Sequence, residues 1–126
     1  MKTNLLNARN FRTALEFVLG NKFKSLKLKH SLLKLYLSLE QTSALSEAIR
    51  TDLLAQFNLQ ENPSQENADN FLKEFTKSHL EMEVDIDPMK SEFLDLLLEE
   101  DFDIPTNYLI AIDLVVNNDK NPEGNS

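Results

Sequence analysis

Five side chains in one short stretch have the types and spacing to do chemistry together. His79, Glu81, Glu83, Asp85 and Asp87 alternate with Leu80, Met82, Val84 and Ile86. In a β-strand, alternate residues share a face and stand about 7 Å apart. Four carboxylates and an imidazole in such a row could hold a hard divalent cation, or imitate a row of phosphates. The plainer reading, and the preferred one, is a solvated edge strand whose charge discourages edge-to-edge pairing. Asp85-Ile86-Asp87 opens like a calcium loop. It lacks the third ligand, the central glycine and the closing glutamate, so an EF-hand is rejected.

The usual catalytic sets are missing. The sequence has no Cys, which removes disulfides, thiolate zinc sites and Cys nucleophiles. His30 and His79 are its only histidines; there is no His-Glu-x-x-His and no Ser in a nucleophile elbow. Two glycines leave no Gly-rich phosphate cradle. His30, beside Lys27, Lys29 and Lys34, reads as the flank of a basic patch. Glu99-Glu100-Asp101 reads as an exposed loop and not as an acid–base pair. The expectation is a protein that is not an enzyme and uses no metal and no cofactor.

A second group is basic. Arg9, Arg12, Lys22, Lys24, Lys27, Lys29 and Lys34 could touch phosphates, with Phe11 and Phe23 among them to stack on bases. Against this, the 126 residues carry 13 Lys and Arg and 21 Asp and Glu, a net charge of -8, which disfavours nucleic acid as a partner. The charge is segregated. Residues 1–34 sum to +7, whereas residues 81–103 hold ten acids and one base, Lys90. The preferred reading pairs this basic stretch with the acidic 81–103 segment, within one subunit or between neighbours; Lys22, Lys24, Lys27 and Lys29 are the expected basic interface, and Glu81, Glu83, Asp85 and Asp87 the acidic one.

The elements that must position these groups are mostly helical. Leu5, Ala8, Phe11, Leu15, Val18 and Leu19 predict a helix over 5–19, capped by Asn4 or Asn7 and ended by a left-handed Gly20. Residues 26–58 predict one long helix, or two with a break near Gln41-Thr42-Ser43, starting from a Ser25 cap. Its part from Leu32 to Leu39 is apolar around most of its circumference, which one neighbour cannot cover. Leu32, Leu35, Tyr36 and Leu39 are therefore core or an apolar interface. Residues 60–66 are a polar connector. A short helix follows over Asn67–Lys77, then the alternating strand ending at Pro88. That strand needs a partner: Lys22–Leu26, 101–104, or a second copy. Ser91–Glu100 reads as a helix, and 106–116 fits a buried helix or a buried strand equally. No apolar run approaches the length of a membrane span. No signal-peptide core is present either, so secretion by that route is not expected.

The order of elements resembles a loose family of small phage-encoded proteins of unassigned role. The likeness rests on Ala48-Ile49-Arg50-Thr51-Asp52-Leu53-Leu54 in the long helix, Asn70-Phe71-Leu72-Lys73-Glu74-Phe75 in the short one, Glu81-Met82-Glu83-Val84-Asp85-Ile86, and Ile104-Pro105-Thr106. It implies a viral setting, in a virion or in the host cytoplasm, and carries over no functional residue. The expected fold is mainly α with a minor β part. A long central helix is packed by shorter helices, with one or two short strands near 80–87 and at 101–104. Residues 1–116 form one domain and 117–126 a flexible tail. The expected role is protein binding or self-association through an apolar helix face and segregated charge. The alternative is an acidic inhibitor that mimics a nucleic-acid backbone and blocks a host or defence protein.

Overall fold

The computed structural model of the chain describes residues 1–59, 61 and 63–117. α1 spans Leu5–Leu19, as its apolar spacing predicts. Asn4 caps it, its Oδ1 accepting the Asn7 N–H at 2.8 Å, a contact worth about 1 kcal/mol relative to alanine. Leu5, Ala8, Phe11, Ala14, Leu15 and Val18 are all fully buried. That stripe is wider than one neighbour covers, and four of the other helices pack against α1. Gly20 is not left-handed as expected: it stays right-handed, φ -76° and ψ -8°. The side-chain amide of Asn21 closes this helix end instead, donating to the carbonyls of Phe17 and Val18.

The 26–58 stretch is two helices, α2 (Leu26–Ser38) and α3 (Glu40–Phe57). The break falls at Leu39, φ -94° and ψ 9°, just before the expected Gln41-Thr42-Ser43. Leu39 is itself buried, and turning the chain there lets α2 and α3 both pack on α1. The expectation of one long central helix is thereby corrected: the centre is α1.

α4 runs Gln65–Glu81, longer at both ends than the predicted 67–77. The Ser64 hydroxyl caps it by accepting the Asn67 N–H at 3.1 Å. At its other end α4 takes His79, Leu80 and Glu81 out of the predicted strand. The reason is a ring stripe at four-residue spacing. Phe71 stacks on Phe75 at 5.8 Å and Phe75 on His79 at 4.0 Å, so the helical face continues through the imidazole.

What remains of the alternation is β2 (Glu83–Asp85). Its partner is none of the expected ones. β1 (Lys2–Asn4) pairs with it antiparallel, with Lys2 opposite Asp85, Thr3 opposite Val84 and Asn4 opposite Glu83. The opposite-charge match across the ladder thus comes from Lys2 and not from Lys22 or Lys24. Residues 101–104 form no strand; Ile104 N–H folds back to the Phe102 carbonyl at 3.0 Å.

β3 (Met89–Lys90) leads into α5 (Ser91–Glu99), then α6 (Thr106–Asp113) and β4 (Val116–Asn117). β3 and β4 pair in parallel, Met89 opposite Val116. The ambiguous 106–116 stretch is therefore a helix that hands over to a strand. β4 takes Asn117 out of the predicted tail; residues 118–126 of that tail lie outside the described residues, as do Gln60 and Asn62 of the connector. The fold is mainly α: six helices and two small two-stranded ladders among the described residues. Its core joins the α1 stripe to Phe23, Leu28, Leu32, Leu39, Ile86, Met89, Leu97, Ile112 and Val115.

Candidate functional site

The predicted acidic row does not form one face. Glu81 is the last residue of α4, Glu83 and Asp85 alternate along β2, and Asp87 lies beyond it; all four are exposed. His79 has turned fully inward. Asp85 is already engaged. The Met1 ammonium donates to its Oδ1 at 2.8 Å. That hydrogen bond first, then the charge behind it and that of Lys2, holds the carboxyl below its ordinary value. Asp87 lines an open groove of about 470 Å³ with Lys34, Leu35, Pro88, Lys90 and Phe93. Among the described residues no three His, Asp or Glu side chains stand together as metal ligands.

The basic stretch is divided: Arg9 and Arg12 lie on α1, Lys22 and Lys24 in the α1–α2 connection, and Lys27, Lys29 and Lys34 on α2. Lys22, Lys24 and Lys27 are exposed and Lys29 is half-buried. Two ion pairs occur among the described residues, Met1 with Asp85 and Arg50 with Glu47. Neither joins this stretch to residues 81–103. The link that does form uses the backbone. The Glu100 carboxylate, 8% exposed, accepts Lys24 N–H at 2.7 Å and Ser25 N–H at 3.1 Å. Glu100 is thus no part of an exposed loop, which corrects the sequence expectation, and the lysine side chains are left facing water.

The apolar candidates divide. Leu32 and Leu39 are buried in the core and are closed to a partner. Leu35 and Tyr36 are half-buried against that core. The apolar surface of α2 is a different set, Leu26, Leu33 and Leu37, which are 61%, 39% and 57% exposed. Their seven- and four-residue spacing puts them on one line of the helix.

A polar site lies where α1, α3 and α4 meet. A pocket of about 130 Å³ is lined by Arg9, Arg12, Thr13, Ser43, Ser46 and Glu47. Behind Ser46 sits His79, with Nε2 2.8 Å from the Ser46 Oγ and Nδ1 2.7 Å from the Phe75 carbonyl. A carbonyl can only accept, so Nδ1 carries the proton and Nε2 accepts from the Ser46 hydroxyl. Burial, seconded by the charge of Arg9, pushes the imidazole below its ordinary value against the pull of the Phe75 carbonyl. A hydroxyl donating to a neutral imidazole is the bond of a nucleophile and its base. Here Ser46 is 3% and His79 0% exposed, and the bond serves to fasten α3 to α4. Sequence reasoning missed this pair by placing His79 on a strand. The signal that could have found it is the spacing of Phe71, Phe75 and His79.

No family model matches the chain, and no curated protein or solved structure matches it. No helix among the described residues is long and apolar enough to cross a membrane.

Proposed function

We propose that the chain is a non-enzymatic assembly component that associates with further copies of itself, head to tail, through segregated charge and the outer face of α2. One observation carries this reading. Among the described residues a single ion pair, the Met1 ammonium with Asp85, links residues 1–34 to the ten acids of residues 81–103, and the lysines of residues 22–29 pair with none of those acids. Two complementary surfaces are therefore offered outward, and on neighbouring copies they can meet. Such a contact is heterologous and closes into rings or runs into filaments. Charge would set register and encounter rate, and Leu26, Leu33 and Leu37 would supply apolar burial. A virion setting for such an assembly is what the resemblance in sequence pattern to small phage proteins implies.

The nucleic-acid mimic is the weaker reading because it wants an unbroken acidic row. Glu81 leaves that row with α4, and Asp85 is held by the Met1 ammonium. Light scattering after size exclusion, at low salt and at 0.5 M salt, tests the proposal. An oligomer that dissociates in high salt is the expected result. A 14.5 kDa species at both salts would refute it.

A further inference from the structure

We infer that the pocket between α1 and α3 binds one phosphate-sized oxyanion, held by Arg9, Arg12 and Ser43. Arg9 and Arg12 stand three apart on α1, one helical face. Neither guanidinium has a carboxylate or any other hydrogen-bond acceptor among the described residues. Each lies instead over an aromatic ring, Arg9 over Phe75 at 5.3 Å and Arg12 over Tyr36 at 4.4 Å. Stacking holds the plane of a guanidinium and leaves its N–H edge free for an anion. The Arg12 Nε is buried and has no partner. A buried charged donor without an acceptor is unusual and costly, and two like charges at this spacing repel. A bound anion relieves both conditions.

The rest of the lining fits. Ser46 is committed to His79, and the Thr13 hydroxyl donates to the Arg9 carbonyl at 3.0 Å. The Ser43 hydroxyl, from α3, has no hydrogen-bond partner among the described residues and is free to donate. Donors from two helices suit an anion with several oxygens better than one planar carboxylate, which a single arginine satisfies. The volume, about 130 Å³, is a few times the roughly 30 Å³ of one water. That is the scale of one phosphate group and not of a nucleotide. Glu47 is the one acid in the lining, and it opposes the anion while leaning on Arg50 at 3.9 Å.

The test is calorimetric titration of the full chain with inorganic phosphate, and in a parallel arm with O-phosphoserine. Saturable binding at one site is expected. Tighter binding of phosphoserine would assign the group to a modified side chain, and tighter binding of phosphate to the free ion. Arg12→Gln should weaken binding by about tenfold or more, since it removes charged hydrogen bonds. Lys22→Gln and Lys27→Gln should leave it unchanged. Glu47→Gln changes an exposed side chain, and it should tighten binding severalfold whether or not the arginine variant folds. No saturable heat at millimolar phosphate, equal weakening by the lysine variants, or a Glu47→Gln variant that binds no tighter would each overturn the inference.

Discussion

Replacing Ser46 with alanine removes one oxygen from a site that is almost fully closed. The hydroxyl it removes is the donor to His79 Nε2 at 2.8 Å. The imidazole stays where it is, fully buried, because its Nδ1 remains bonded to the Phe75 carbonyl. The orphaned acceptor then carries its desolvation cost, about 1–3 kcal/mol. Protonation offers little escape, since burial already holds the group below its ordinary value. With a urea m-value of about 1–2 kcal/mol/M, the midpoint should drop by roughly 1 M. His79→Leu should cost a comparable amount, and the double variant should cost less than the sum by about 1 kcal/mol, because no orphan remains. A pH series adds a second readout. The unfolded chain takes up a proton near the ordinary value of 6.5 and the native site resists it. Stability is therefore full above about 6.5 and is lost as pH falls from there toward the lower native value. His79→Leu should flatten that loss. A Ser46→Ala midpoint equal to the parent's, or strict additivity in the double variant, would refute the buried-pair reasoning.

Other variants separate the remaining contacts. Glu100→Gln puts an amide donor against two backbone N–H groups and should cost about 1.5–3 kcal/mol, read as a lower melting temperature. Leu32→Ala, in the core, should cost about 2–5 kcal/mol, whereas Leu37→Ala, on the exposed line, should stay within about 0.5 kcal/mol; denaturant titration of both measures the contrast. Asp85, whose carboxyl is held below 3.8, contributes stability that is present above 3.8 and lost as pH falls through the native value, so Asp85→Asn should shallow the acid limb of a stability–pH curve. Leu33→Glu together with Leu37→Glu should leave the melting temperature nearly unchanged and abolish the self-association that the proposal expects in light scattering.

The parts of the fold legible in the sequence are those that a single periodicity dictates. α1 has six buried positions on one stripe and an Asn cap, and its bounds match their prediction. α5 differs by one residue at its end. Where two periods compete, the reading went wrong. From 79 to 87 the alternation of apolar and acidic residues outweighed the continuing four-residue stripe of α4, because the stripe's next member is a polar His. β1 was invisible for another reason: Lys2, Thr3 and Asn4 have no apolar alternation, and their place is fixed by a partner some eighty residues away. The break at Leu39 carries no glycine or proline; it is set by the need to lay both helices on α1. Of the candidate site, Arg9 and Arg12 were visible as part of a basic stretch. Their grouping with Ser43, Ser46 and Glu47 was not, since it depends on how α3 docks on α1.

α1 lies at the centre of the fold yet is made before every helix that packs against it. It packs against α2, α3, α4 and α6, and α6 brings Ala111 and Ile112 to the buried interior. At a translation rate of about 5–20 residues per second, roughly ten seconds separate the two helices on the ribosome. For that interval the apolar stripe of α1 has no complete cover. The nascent chain must shelter it among partial helices or in the hands of a chaperone, so yield in a cell is governed by how synthesis is paced as well as by the stability of the finished fold. A stretch of slow codons placed just before α6 would lengthen the exposure and lower the soluble yield, with the protein sequence unchanged.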